Sequence, residues 1–201
     1  MANINTSISA LKEKITASGG LQRANRFLIK FNGLSGEQAA FFNATSGGDG
    51  TPNTYIAETV LLPDIVMNTQ ADALSGPGLG RSQPRGLSYK DGVLVTFPVF
   101  GDYKLPQAFD NWMKNIYSEN LSGSGAKTWI TYFYDDVVKK NEMVLDVLDL
   151  NGKVTATYRF YEIFPVEIAP IQFSSLNTNE YLKITVRFAF RKYELTLTAD
   201  S

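Results

Sequence analysis

Residues 182–190 have the sequence Leu-Lys-Ile-Thr-Val-Arg-Phe-Ala-Phe. Apolar side chains occupy every second position, and this period of two is typical of a β-strand with one face in the core and the other in water. Between Phe190 and Tyr193 the alternation slips by one position, and Leu195 and Leu197 continue it in the new phase. A β-bulge or a bend between two sheets would produce such a slip.

Six further segments are predicted to be strands, because they alternate in polarity or are rich in β-branched and aromatic residues. They are residues 25–31, about 55–62, 87–97, 128–134, 143–150 and 154–161. The last two flank Asn151-Gly152, a pair that predicts a hairpin with a type I′ turn. Short strands with antiparallel connections favour a β-sandwich or a barrel. We therefore predict a mainly β protein.

One central α-helix is predicted at about residues 105–119. Pro106 suits its first turn. Its apolar residues recur at helical spacing and form one stripe, which consists of Leu105, Phe109, Trp112, Met113, Ile116 and Tyr117. This stripe predicts a helix that packs on the sheets.

A short N-terminal helix is predicted after a cap at Thr6 or Ser7. Its apolar stripe consists of Ile8, Leu11 and Ile15, and a pair of glycines ends it. A three-turn helix is marginal in water, so the stripe must dock on another surface. Two surfaces remain open: the protein's own domain and a neighbouring subunit.

The chain is predicted to form one domain over residues 1–201, with an N-terminal helical extension at 1–20. Two loop insertions are predicted, at residues 33–53 and 68–86. The second is 19 residues long and rich in glycine. Loops of this length are usually functional or disordered, and this one would serve better as an external arm than inside a compact monomer.

The composition excludes several kinds of chemistry. Cysteine and histidine are both absent, which removes disulfides, thiolate chemistry and almost every zinc, haem or iron–sulfur site. Basic and acidic residues number 19 and 20, so no global field favours nucleic acid or membrane. No apolar run approaches the roughly 20 residues of a membrane-spanning helix, and the N-terminus lacks the regions of a signal peptide. We predict a soluble protein made in a cytoplasm, with no cofactor, no metal and no membrane binding of its own.

Two acidic pairs, Asp135-Asp136 and Asp146 with Asp149, are the remaining candidates for catalysis. Such pairs serve as acid and base in glycoside hydrolases, but neither has the spacing of an EF-hand calcium loop. Surface aspartates are common near turns. We therefore predict no catalytic residue.

The order of these elements resembles a known family. The residues that carry the resemblance are Asn-Arg-Phe-Leu-Ile-Lys-Phe at 25–31, Leu-Leu-Pro at 61–63, Asp-Gly-Val-Leu-Val-Thr-Phe at 91–97, Ala-Phe-Asp-Asn-Trp at 108–112 and Phe-Pro-Val-Glu-Ile at 164–168. In this order the chain resembles the tail tube protein of contractile-tailed bacteriophages, whose fold is similar to the tube subunit of type VI secretion systems. The resemblance covers most of residues 25–195. The longer N-terminus and the 33–53 insertion depart from the family pattern.

The resemblance implies a structural protein and not an enzyme. It implies hexameric rings whose inner sheets join into a barrel, and rings that stack into a tube for DNA ejection. The segment between Pro63 and Asp91 would contact the adjacent ring as an inter-ring arm, with candidate residues Leu74, Pro77, Leu79, Arg81, Arg85 and Tyr89. A cationic channel wall would hold DNA phosphates, so Asp146 and Asp149 are candidates for charge that faces the lumen.

The implied partners are other copies of the chain, a tail sheath protein, a baseplate tube initiator and a tail terminator. A tape-measure protein and the passing DNA would occupy the lumen. The implied location is the virion tail, after assembly in the host cytoplasm. Three alternatives remain open: a baseplate-proximal tube initiator of the same fold, a secretion-system tube relative, and a carbohydrate-binding or carbohydrate-hydrolysing β-sandwich.

Overall fold

The fold is a sandwich of two antiparallel sheets with two additional hairpins. The computed structural model describes residues 9–10, 12–13, 15–16, 22, 25–34, 54–55, 57–71, 82–121, 127–131, 134–171, 173 and 181–198. The strands are β1 (Phe27–Asn32), β2 (Thr54–Tyr55), β3 (Thr59–Leu61), β4 (Asp64–Ala71), β5 (Ser82–Lys90), β6 (Val93–Pro98), β7 (Tyr117–Leu121), β8 (Lys127–Thr131), β9 (Glu142–Leu148), β10 (Val154–Tyr161), β11 (Phe164–Ile168), β12 (Lys183–Ala189) and β13 (Lys192–Leu197). The helices with defined bounds are α1 (Lys104–Ile116) and α2 (Tyr134–Val137).

The two sheets confirm the predicted β-sandwich. The first has five strands in the order β13-β10-β9-β1-β2, and the second has four in the order β11-β12-β6-β3. The strand at 182–190 becomes β12 of the second sheet, and the chain then crosses to the first sheet as β13. The slip after Phe190 is therefore a bend between two sheets, one of the two explanations that the sequence offered.

The core lies between the sheets, and α1 covers one end of it. The fully buried positions alternate along the strands, and they include Ile29 and Phe31 of β1, Val93, Val95 and Phe97 of β6, Met143 of β9, and Ile184, Val186 and Phe188 of β12. Two buried side chains of α1, Phe109 and Trp112, pack against these aromatic rings. The ring centroid of Trp112 lies 5.8 Å from that of Phe31, and that of Phe109 lies 5.4 Å from that of Phe97.

The central helix ends earlier than predicted. It spans Lys104–Ile116, and the chain enters β7 at Tyr117. The helix predicted to about residue 119 therefore stops at Ile116, and Tyr117, the last residue of the predicted stripe, begins a strand that pairs with β8. A ladder with a neighbouring strand overrides local helical periodicity here.

Two predicted strands are each divided. The segment at 55–62 forms β2 in one sheet and β3 in the other. The segment at 87–97 is divided by Asp91 and Gly92, both of which have positive φ angles (64° and 67°). This turn sends β5 and β6 into different sheets. The strand predicted at 128–134 ends at Thr131.

The predicted hairpin at Asn151-Gly152 is present, but the prediction of a type I′ turn is wrong. A type I′ turn needs positive φ at both central residues, whereas in this turn only Gly152 has one, of 83°. Asp149 closes a three-residue loop instead: its amide donates to the carbonyl of Lys153 at 2.8 Å. Its carboxylate accepts hydrogen bonds from the amides of Lys153 (2.8 Å) and Asn151 (2.7 Å), and these hold its pKa below the usual range.

The loop predicted at residues 68–86 is wrong in its conformation. Strands β4 and β5 pair along their length as an antiparallel hairpin, and only residues 72–81 lie outside the described part. The register shifts between Asn68 and Thr69, opposite Pro84. Proline is tolerated in a two-stranded ribbon because both of its strands are edges.

Two other predicted features lie mostly or wholly outside the described residues. Of the insertion at 33–53, only Gly33 and Leu34 are described. Of the extension at 1–20, residues 9, 10, 12, 13, 15 and 16 are described and have helical conformation. The N-terminal helix as a whole stays a prediction.

We expect Gly92→Ala to destabilise the fold more than Gly152→Ala. Both glycines have left-handed φ angles (67° and 83°), so each substitution costs about 1–2 kcal/mol of backbone strain. A Cβ at Gly92 would also lie 2.2 Å from the carbonyl oxygen of Phe188, whereas one at Gly152 would meet nothing within 4 Å. Urea unfolding measures both free energies. Equal losses would show that the close approach of β12 to Gly92 is not a constraint.

Candidate assembly surfaces

Each sheet ends in edge strands that have only one neighbour among the described residues. The five-stranded sheet ends at β13 and β2, and the four-stranded sheet ends at β11 and β3. An edge strand presents a row of unpaired backbone N–H and C=O groups, which is a template for pairing with another chain. The described sandwich therefore leaves its sheets open.

The β13 edge is apolar as well as unpaired. Leu195 and Leu197 lie opposite Tyr158 and Ala156 of β10, on the side of the sheet that faces the core. They are nevertheless 49% and 72% exposed. The five-stranded sheet thus extends beyond the layer that covers it, and it leaves two leucines in water beside an open edge.

The hairpin of β4 and β5, which we call the arm, is anchored at its base by aromatic packing. The ring of Tyr89 lies 5.1 Å from that of Phe190 and 5.4 Å from that of Tyr193. Burial raises the pKa of Tyr193. The base of the arm and the first residues of β13 therefore share one aromatic cluster.

Beyond its base the arm carries an exposed apolar face. Ile65 lies opposite Tyr89, and Met67 lies opposite Leu87, so all four side chains share one face. Ile65, Met67 and Leu87 are each more than half exposed. Monomers rarely leave such apolar groups together in water, and contiguous patches of this kind mark interaction sites.

The structure describes two of the six predicted arm residues. Tyr89 lies in β5 at the anchored base, and Arg85 lies exposed further along β5. The other four, Leu74, Pro77, Leu79 and Arg81, lie outside the described residues. Sequence reasoning missed Ile65, Met67 and Leu87, although the alternation of Ile65 with Met67 and of Leu87 with Tyr89 is a strand signal that could have found them.

The outer face of the five-stranded sheet, which we call the polar sheet face, is electrically balanced. It consists of the side chains of β1, β9, β10 and β13 that point away from the core. Cross-strand pairing places three basic residues on it (Lys30, Arg159 and Lys192) and three acidic ones (Glu142, Asp146 and Glu194). The formal charge of these six groups therefore sums to zero.

Two of these acidic groups are held by hydrogen bonds. Asp146, only 6% exposed, accepts from the ammonium of Lys30 at 2.8 Å and from the hydroxyl of Thr157 at 2.8 Å. Glu194 accepts from Lys192 at 2.7 Å and from the hydroxyl of Tyr161 at 2.9 Å, and these bonds hold the pKa of Glu194 below its usual range. A nearly buried carboxylate needs such partners because it has lost its water.

The two candidate lumen charges lie in different settings. Asp146 lies within the polar sheet face, in the middle of β9. Asp149 lies beyond the end of that strand, and its carboxylate closes the turn to β10. The structure thus does not join them into one acidic pair.

The described residues hold neither a metal-binding cluster nor a membrane-spanning helix. No group of three or more acidic, histidine or cysteine side chains there could hold a metal ion. No described helix is long and apolar enough to cross a bilayer. Asp135, a member of the other acidic pair, forms an exposed ion pair with Lys139 at 3.2 Å on α2 and the turn after it.

Comparison with solved structures finds the same fold in contractile injection machines. A chain from the anti-feeding prophage baseplate superposes with a TM-score of 0.59, at 11% identity over 88% of this chain and 95% of that one. A chain from the anti-feeding prophage tube-terminating cap gives 0.58, at 13% identity over 89% and 92%. A chain from the sheath–tube complex of an extracellular contractile injection system gives 0.57, at 14% identity over 89% and 93%. At these identities the likeness shows the fold alone.

Sequence comparison identifies the family. Among curated proteins, none matches the chain. A family described as "Phage tail tube protein" matches residues 23–196. That match covers both sheets, the arm and α1, and it confirms the resemblance drawn from the order of elements. The chain belongs to the phage tail tube protein family.

Proposed function

We propose that this structural protein, which is not an enzyme, forms hexameric rings that stack into a tail tube for DNA ejection. The membership in the tail tube family supports the tube. The observation that carries the ring is the β13 edge, where two exposed leucines lie on a strand whose outer side has no partner among the described residues.

Ring closure would satisfy this edge. If β13 pairs with an edge strand of a neighbouring copy, its free backbone groups gain partners, and the joined sheets close into a barrel without edges. The same contact covers Leu195 and Leu197. Complete burial of a leucine side chain contributes about 1.5–3 kcal/mol, so the contact gains apolar stabilisation as well as hydrogen bonds.

Ring stacking would use the arm. Its base is fixed by Tyr89 on Phe190 and Tyr193, so its direction is set before assembly. Its exposed face of Ile65, Met67 and Leu87 offers the apolar contact that a neighbouring ring would cover. The candidate residues at the tip, from Leu74 to Arg81, belong to the same proposal.

The polar sheet face would line the channel. Its charges balance, so it would present no net positive charge to attract the DNA phosphates. In this arrangement Asp146 neutralises Lys30, and Asp149 lies at the margin of the wall. DNA would slide along a surface of paired charges and hydroxyls without being held.

The partners would be those of a tail tube in a virion. They comprise a tail sheath protein, a tail terminator and a baseplate tube initiator around the tube, and a tape-measure protein within it. Chains of this fold occur in structures of a baseplate, a tube-terminating cap and a sheath–tube complex, which supports these positions. Because one of these chains comes from a baseplate, a baseplate tube initiator is the second candidate function.

Negative-stain electron microscopy of the purified protein tests the proposal. We expect tubes built of stacked rings, whereas single rings would favour the initiator and monomers would contradict both. Deletion of residues 77–84 removes part of the connection between the arm strands, together with the first three residues of β5, and it leaves both sheets of the sandwich intact. We expect that variant to keep its circular dichroism spectrum and to form rings that do not stack. Tubes of normal length from this variant would overturn the role of the arm.

We expect Met67→Asp to impair stacking and Asn68→Asp to leave it nearly unchanged. Both substitutions add one carboxylate to an exposed position of β4, but only Met67 lies on the apolar face. A carboxylate there would lose its water on contact with the next ring. Tube length by electron microscopy measures the difference. Equal shortening by both variants would show that charge on the arm, and not its apolar face, is what matters.

We expect Thr196→Lys to slow genome release from otherwise normal particles. Thr196 is exposed on the polar sheet face at β13, so the substitution adds cationic charge to the proposed wall and leaves the Lys30–Asp146 pair intact. Thr196→Glu at the same position is the control and should not slow release. Fluorescence of a DNA-binding dye during triggered ejection reports the rate. Normal release with Thr196→Lys would remove this face from the channel.

A further inference from the structure

An apolar groove of about 360 Å³ opens at one end of the sandwich. Apolar and aromatic side chains from both sheets form its walls: Phe27, Val60, Leu62, Leu145, Val147 and Tyr158. The core cluster packs α1 against Phe31, near the end of β1, whereas Phe27 is the first residue of that strand. The helix therefore fills one end of the sandwich and leaves this one open.

The N-terminal segment carries a predicted apolar stripe whose described member, Ile15, does not line this groove in its own chain. Of the stripe, Ile15 is described and is half-buried, while Ser9, Ala10, Lys12, Glu13 and Thr16 around it are exposed. None of these six described residues lines the groove. The same polypeptide thus presents an apolar groove and a helical segment whose described residues do not line it.

The connection between stripe and groove is short. Gln22 lies at the rim of the groove, and its side-chain amide donates to the carbonyl of Leu148 at 2.7 Å. Seven residue steps separate Ile15 from Gln22, and an extended chain of that length spans at most about 25 Å. The stripe is therefore limited to surfaces within about 25 Å of Gln22, on its own subunit or on one in direct contact.

We propose that the groove receives the N-terminal stripe, Ile8, Leu11 and Ile15, of a neighbouring copy of this chain. The inference rests on the proposed function, since it needs copies side by side. If each subunit docks its N-terminal helix on the next subunit, the contact is head-to-tail. Such contacts close into a ring when the rotation between neighbouring subunits is a whole fraction of a turn. Each contact covers one groove and one stripe, and docking supplies the stability that an isolated three-turn helix lacks.

Disulfide cross-linking tests this arrangement cleanly because the chain has no cysteine of its own. Ile15→Cys chains are mixed with Val60→Cys chains, one of which carries a tag, and the mixture is oxidised. We expect a covalent heterodimer, since a disulfide forms only when the two Cβ atoms approach to about 4 Å. Glu13→Cys is the matched control: it lies on the polar side of the same helix and should yield several times less heterodimer with Val60→Cys.

The double variant Ile15→Cys/Val60→Cys distinguishes the neighbour from the chain itself. We expect a ladder of covalent oligomers on a non-reducing gel. An internally cross-linked monomer would show that the stripe docks on its own groove, and this would overturn the inference. If Val60→Cys does not fold, Thr59→Cys supplies an exposed position that lines the same groove.

The failure of this inference can be told apart from that of the proposed function. Tubes that form normally but give no Ile15–Val60 cross-link would mean that another segment fills the groove, and the inference alone would fall. A protein that stays monomeric at every concentration would remove the proposed tube and the inference together.

Discussion

Unpaired backbone groups at a sheet edge are the constraint on which the rest of this structure depends. The five-stranded sheet ends at β13, and the sheet there extends past the layer that buries its inner face. Among the described residues nothing pairs with its outer N–H and C=O groups, and pairing with another strand would satisfy these groups and cover the leucines at 195 and 197. The proposed tube supplies a reason for such an edge to persist, because in that proposal copies of the chain complete one another's sheets.

The bend after Phe190 connects the two directions of the proposed assembly. One side of this bend is β12 in the core, and the other is the edge strand β13. The rings of Phe190 and Tyr193 at the bend also hold Tyr89 at the base of the arm. The surface that would close a ring and the hairpin that would join two rings therefore rest on the same aromatic cluster. A displacement of β13 would therefore shift the base of the arm, and a displacement of the arm would shift β13.

The sequence predicted the parts of the fold that bury one face. The alternation at 182–190, the slip after it and the stripe of α1 all report burial on one side, and each is present. The arm was predicted, but its two paired strands were not, because most of both their faces is exposed and the glycines of the segment suggested a loop. The pairing of Lys30 with Asp146 joins residues 116 positions apart, which no local pattern reports. The exposed leucines of β13 looked like core residues, since periodicity gives the face of a strand and not whether a second layer covers it.

Backbone hydrogen exchange at β13 tests most directly whether copies complete the sheet. In a dissociated subunit, the amides of Lys192–Leu197 that donate to β10 should exchange slowly, and the alternate amides that point outward should exchange fast. In the assembled protein, the account predicts that these outward amides become protected while those of the exposed turn at residues 150–152 do not. Equally fast exchange of the outward amides in both states would contradict it, since the edge would then remain unpaired in the assembly.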